Sequence, residues 1–167
     1  WKNRPRPVLY NSWEGCMFHF NQHRLLDLAD RAKDLGCELF VLDDGWFGAR
    51  NNDKCSLGDY NVNTKKLPDG MEGLAKRINA KDLQFGLWFE PESVSPDSDC
   101  YRAHPDWALT DEFQPVLGRH QLLLDLTRPE VRDYVVSNVS EILDRSALTY
   151  VKWDMNRHSV AVGAKAH

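Results

Sequence analysis

The feature that most constrains this chain is an alternation. Short apolar runs, Val8 to Tyr10, Leu39 to Leu42, Phe85 to Phe89, Leu122 to Leu126 and Tyr150 to Trp153, are interleaved with amphipathic helical stretches. The runs are too continuous for strands with one wet face. Strands buried on both faces and separated by amphipathic helices specify a parallel sheet of βα units.

The helices are read from period and caps. After an Asn21 cap, Leu25, Leu28, Ala29, Ala32 and Leu35 recur at helical spacing, and Gly36 supplies the stop. A second helix, roughly Met71 to Lys81, carries Met71, Leu74, Ala75 and Ile78 on one face. A third opens on Thr127-Arg128-Pro129-Glu130, a capping box with proline in the first turn, and directs Val131, Val135, Val139 and Ile142 inward.

An open doubly wound sheet and a (β/α)8 barrel both fit this alternation, and the polar residues separate them. Asn11, Trp13 and Glu14 follow the first run; Asp43, Asp44 and Trp46 the second; Glu90 and Glu92 the third; Asp125 sits in the fourth; Asp154 and Asn156 follow the last. In a barrel the carboxyl ends of successive strands converge on one mouth, so these groups would ring one pocket. No glycine-rich strand-to-helix turn of a nucleotide fold is present, which weakens the open-sheet alternative. Carboxylates that accept from hydroxyls and indoles that stack on a pyranose suit a sugar, and glycosidases need two carboxyl groups about the scissile bond.

Composition excludes other classes. Of the 167 residues 42% are hydrophobic and 28% charged, as in a folded domain, and no apolar run approaches the length of a membrane span. A net charge of -4 with interleaved signs offers no basic stripe for nucleic acid. The start Trp1-Lys2-Asn3-Arg4-Pro5 lacks the pattern of a signal peptide and reads as internal to a longer chain. Cys16, Cys37, Cys55 and Cys100 show no Cys-x-x-Cys spacing and read as free thiols in a reducing, cytoplasmic setting.

Six segments make the reading specific. They are Phe40 to Gly48 (FVLDDGWFG), Phe85 to Glu92 (FGLWFEPE), Pro96 to Trp107 (PDSDCYRAHPDW), Gly118 to Gln121 (GRHQ), Leu124 to Val131 (LDLTRPEV) and Tyr150 to Arg157 (YVKWDMNR). In this order they resemble glycoside hydrolase family 36, the bacterial-type α-galactosidases, over nearly the whole chain. The resemblance implies an α/β fold, a partial (β/α)8 TIM barrel of about the first four βα units, with residues 1–167 the N-terminal part of one catalytic domain and no second domain. It also moves Leu122 to Leu126 out of the barrel and into a long connection after the third strand.

The resemblance implies a retaining α-galactosidase. Asp154, in Lys152-Trp153-Asp154, would be the nucleophile of a double displacement. Lys152 would point the same way from an extended strand, favour the ionised nucleophile and bind sugar hydroxyls. Asp43 and Asp44 match the pair that holds O4 and O6, the former distinguishing galactose from glucose. Trp13 and Trp88 would line the same subsite, with Arg119 and Asn156 as polar contacts near the nucleophile. Glu90 and Glu92 resemble a catalytic pair, but in the family the acid/base aspartate ends the sixth strand, beyond His167, so they are read as structural groups or as groups that support the residues touching the sugar.

Ser93 and Ser95 depart from the family's usual methionine and asparagine and would alter the packing or the rim of a loop above the third strand. Melibiose or raffinose-type galactosides are the implied substrates, a homo-oligomeric parent is expected, and no cofactor or metal is called for. The chain by itself would be nearly inactive. Alternatives are an α-N-acetylgalactosaminidase, or a non-catalytic sugar-binding or assembly fragment.

Overall fold

The computed structural model describes residues 3–111 and 114–159. They fall into two compact units. One comprises the chain up to Trp46, then Val62–Phe89 and Ile142–Lys152; the other comprises Phe47–Asn61, Glu90–Glu141 and the chain from Trp153 onward.

The first unit is built on a sheet of four strands in the order β1 (Leu9–Asn11), β2 (Leu39–Leu42), β3 (Gln84–Phe89) and β6 (Tyr150–Trp153). Pairing is parallel between β1 and β2, with Tyr10 opposite Phe40, and between β2 and β3, with Val41 opposite Gly86. All four residues of β2 are fully buried, and so are Phe85, Leu87 and Phe89 of β3. That two-sided burial is why these strands read as unbroken apolar runs. The sheet is that of an α/β fold and fits a section of a (β/α)8 barrel. Gly86 is required by close approach: a Cβ there would meet Tyr150 Cβ at 3.0 Å and Val41 Cγ2 at 3.1 Å.

Two helices cover this sheet. Helix α2 (Gln22–Asp34) starts where Asn21 Oδ1 accepts from Arg24 N at 2.9 Å, as the sequence predicted, and buries Leu25, Leu26, Ala29 and Ala32. Leu35, expected to face inward, is 81% exposed because the helix ends one residue before it and the chain turns out through Gly36 at φ +84°. Helix α3 (Gly70–Asn79) buries Met71, Leu74, Ala75 and Ile78, the face read from the sequence. A one-turn helix, α1 (Trp13–Cys16), follows β1 and was not foreseen, being too short to show a period.

In the second unit a two-stranded antiparallel sheet joins β4 (Ser93–Val94) to β5 (Leu122–Leu123). The run Leu122 to Leu126 is therefore no member of the main sheet. Its leucines are apolar because Leu122 and Leu124 pack with Val94, Trp107, Val131 and Val135. Ser93 and Ser95 are both fully buried here, and Ser95 Oγ accepts from Leu57 N at 3.2 Å. A short α4 (Asp99–Ala103) is capped by Ser98.

Helix α5 (Pro129–Arg145) is the third helix expected, with Val131, Val135, Val139 and Ile142 buried. Asp125 and Arg128 add side-chain contacts to its lead-in. Asp125, grouped by sequence with the carboxylates of the mouth, is buried and its Oδ1 takes the Thr127 hydroxyl at 2.6 Å, while Glu130 pairs with Arg128. Among the described residues no helix is long and apolar enough to cross a membrane.

Candidate active site

The candidate residues fall into two groups, one in each unit. The first gathers at the carboxyl ends of β1, β2 and β6. Ser12, one residue past β1, hydrogen-bonds to the end of β2 twice: Ser12 N donates to Val41 O at 3.0 Å, and Ser12 Oγ accepts from Asp43 N at 3.0 Å. Asp43 Oδ1 accepts from Asp44 N at 2.8 Å, and Asp43 Oδ2 lies 2.7 Å from Lys152 Nζ.

The Asp43 side chain is 5% exposed and that of Lys152 35%. A carboxyl group this deeply buried is costly unless it has hydrogen-bonding partners. Both of its oxygens are thereby fixed in direction. The pairing of Lys152 with Asp43 was not foreseen in the sequence. Asp44, next in the chain, is also buried.

Two tryptophans of this group differ in setting. Trp13, the first residue of α1, is half-buried and meets the Phe18 ring edge-on with centroids 5.0 Å apart. Trp88 is 1% exposed, inside the core, and its carbonyl accepts from Trp46 Nε1 at 3.0 Å. A cavity of about 330 Å³ lined by Arg6, Pro7, Leu9, Leu39 and Tyr150 opens at the amino ends of the strands, the end remote from Asp43.

The second group surrounds Asp154. Its carboxylate is anchored locally: Oδ1 accepts from Met155 N at 3.1 Å and Oδ2 from Asn156 Nδ2 at 2.8 Å. Hydrogen bonds to both oxygens fix the direction of this carboxyl group. The Asn156 amide is in turn oriented by Arg119, whose Nη1 donates to Asn156 Oδ1 at 2.8 Å.

Arg119 reaches Asn156 from a tight hairpin. Gly118 and Gln121 exchange two backbone hydrogen bonds, of 3.0 and 2.9 Å, across Arg119 and His120, whose φ values are +52° and +62°. Positive φ at both central positions is the two-residue hairpin usually made by Asn-Gly. Arg157, buried and not singled out by the sequence reading, supports this turn: Nε donates to Gln121 O at 3.1 Å and Nη2 to Val116 O. Gly118 leaves room for it, since a Cβ there would lie 3.1 Å from Arg157 Nε.

Glu90 and Glu92 are both held by hydrogen bonds. Glu92 Oε1 accepts from Trp153 Nε1 at 2.6 Å. Glu90 is fully buried, with Oε1 accepting from Asn156 N at 2.8 Å and Oε2 from Asn156 Nδ2 at 3.1 Å and Gln121 Nε2 at 3.3 Å. Burial pushes its carboxyl above the usual range; the bonds from Asn156 and Gln121 oppose this, and the nearby Asp154 charge adds to it. What marked Glu90 in the sequence was its place directly after a strand buried on both faces. Among the described residues no group of three or more His, Cys, Asp or Glu side chains is placed to hold a metal ion.

Comparison with known proteins agrees with the motifs. The melibiase family model matches residues 1–167. The curated α-galactosidase AgaA of Geobacillus stearothermophilus is 52% identical over 99% of this chain, which covers 23% of that protein. The crystal structure of the family 36 α-galactosidase AgaB from the same organism superimposes with a TM-score of 0.95 at 51% identity, over 99% of this chain and 23% of that one. A variant of AgaA in complex with raffinose gives 0.94 at 52% identity, over 98% of this chain and 23% of its own. The chain thus spans about a quarter of the length of these relatives.

Proposed function

Because this chain belongs to the melibiase family, we propose that it forms the first part of the (β/α)8 catalytic domain of a retaining α-galactosidase, with Asp154 as the nucleophile. The observation that carries this reading is the anchoring of Asp154. It follows the last strand of the sheet with hydrogen bonds on both side-chain oxygens, a carboxyl group aimed by its neighbours before any substrate arrives.

The chemistry follows from that group. One oxygen of Asp154 attacks the anomeric carbon of a terminal α-galactosyl residue, forming a covalent ester as the bond to the leaving oxygen breaks. That oxygen takes its proton from an acid/base residue beyond this chain, and the same residue then activates the water that opens the ester with net retention. Asp43 and Asp44 hold the O4 and O6 hydroxyls, and the ion pair with Lys152 fixes where the Asp43 carboxyl group points. Trp13 lines the sugar subsite, Trp88, expected there too, is packed in the core, and Arg119 and Asn156 flank the nucleophile.

Galactosides of the melibiose and raffinose type are the substrates we assign, supported by the relative bound to raffinose. The four cysteines are free thiols, which supports a reducing, cytoplasmic setting. Replacing Asp154 with alanine in the full-length protein tests the assignment: turnover of p-nitrophenyl α-galactoside should vanish while galactose binding persists. Turnover near that of the unaltered enzyme would contradict it. The isolated chain, lacking a proton donor for the leaving group, is expected to be slower than the full-length enzyme by at least about a hundredfold.

A further inference from the structure

We infer that Glu90 is a positioning residue for the nucleophile, acting on Asp154 through Asn156. The inference rests on the assignment of Asp154 just made and gives a definite partner to a carboxylate which the sequence reading left as either structural or supporting.

The geometry runs through one amide. Asn156 has two amide hydrogens on Nδ2, and the structure uses both, one to Glu90 Oε2 at 3.1 Å and one to Asp154 Oδ2 at 2.8 Å. Its oxygen is taken by Arg119 at 2.8 Å. With donors on one side and acceptor on the other, only one orientation of the amide satisfies all three partners.

Glu90 also fixes the backbone, because its Oε1 accepts from Asn156 N at 2.8 Å. It therefore sets both where residue 156 stands and which way its amide faces. Asn156 is half-buried, whereas Glu90 is fully buried beyond it and has no surface from which to touch a sugar. A buried carboxylate is costly in a packed unit, and this one is met by three hydrogen bonds, two of them to the residue that holds Asp154. Burial raises the Glu90 pKa, so its charge depends on this set of donors.

Glu90→Gln is the informative change. The new side chain keeps the volume and can still accept from Asn156 N, but its amide hydrogens would face the Nδ2 hydrogens of Asn156. Donor against donor forces the Asn156 amide to turn and release Asp154. A small misplacement of a reacting group costs about tenfold to a hundredfold in rate.

The experiment is a double-mutant cycle in the full-length protein, with kcat and KM for p-nitrophenyl α-galactoside measured for Glu90→Gln, Asn156→Ala, the double variant and Asp154→Ala, together with thermal melts. We expect Glu90→Gln to lower kcat about tenfold to a hundredfold with KM changed less than about threefold. In the Asn156→Ala background the same change should alter kcat less than about threefold, because the route to Asp154 is already cut. An unchanged kcat, a loss that adds fully to that of Asn156→Ala, or a Glu90→Gln protein that no longer melts cooperatively would each overturn the inference. If instead Asp154→Ala keeps turnover, it is the nucleophile assignment that fails.

Discussion

Lys152 Nζ stands 2.7 Å from Asp43 Oδ2, an ion pair that ties the last strand of the sheet to the end of the second. The pair joins residues 109 positions apart, and it leaves Asp43 with both oxygens engaged.

Lys152→Met should therefore harm folding as well as sugar binding. It strands a buried carboxylate, and truncating one partner of a buried pair costs about 3–5 kcal/mol. The lysine side chain is a third exposed, which reduces the expected loss to about 1–3 kcal/mol. Denaturant titration of the full-length variant measures it; a midpoint equal to that of the unaltered protein would show that Asp43 does not depend on the ammonium.

Glu90 gives stability a pH dependence of known sign. Its carboxyl is raised above the ordinary 4.5, so the folded state holds the proton more tightly than the unfolded chain does. Stability from this group is fully present below pH 4.5 and is lost as pH rises through the raised value. Relative to Glu90→Gln, the unaltered protein should lose ground as pH rises above 4.5, read as the difference between their denaturant midpoints. A difference that is flat or grows with pH contradicts the shift.

Gly86 sits where β3 is approached from both sides. An alanine methyl would press on Tyr150 Cβ at 3.0 Å and Val41 Cγ2 at 3.1 Å, both in the same sheet. Overpacking of this kind costs about 1–3 kcal/mol, so Gly86→Ala should lower the melting temperature of the full-length protein. An unchanged melt would mean the strands can move apart at no cost.

How far the sequence could be read depended on whether one element's pattern was its own. Strands β2 and β3 were legible because two-sided burial leaves an unbroken apolar run, whereas β6, expected to be buried in the same way, is only half-buried and ends on the exposed Trp153. The same rule misled at Leu122 to Leu126, where leucines pack on Trp107 and Val131 instead of joining the main sheet. Strand β4 has two residues and α1 four, too few to show a period. Motif resemblance picked out Asp43, Asp44, Lys152 and Asp154, but not that Lys152 would pair with Asp43. Nor did it show Glu90 beneath Asn156, because such pairings belong to the folded chain and have no spacing in sequence.

The hairpin that carries Arg119 offers a separate test. His120 has φ +62°, a conformation that disfavours residues with a Cβ, and its neighbour Arg119 is at +52°. His120→Gly removes the steric cost but adds unfolded-chain entropy, so it should raise stability by about 0.5 kcal/mol. His120→Val, β-branched, should lower it by about 1 kcal/mol or more. Equal melting temperatures for the two variants would show that the turn relaxes freely.

The central claim is that Asp154 attacks the galactosyl carbon, and covalent trapping addresses it directly. The full-length enzyme should be inactivated by an activated difluorogalactoside, digested, and the labelled peptide sequenced by mass spectrometry. The label is predicted on Asp154, within Tyr150-Val151-Lys152-Trp153-Asp154; a label on any other side chain would contradict the account.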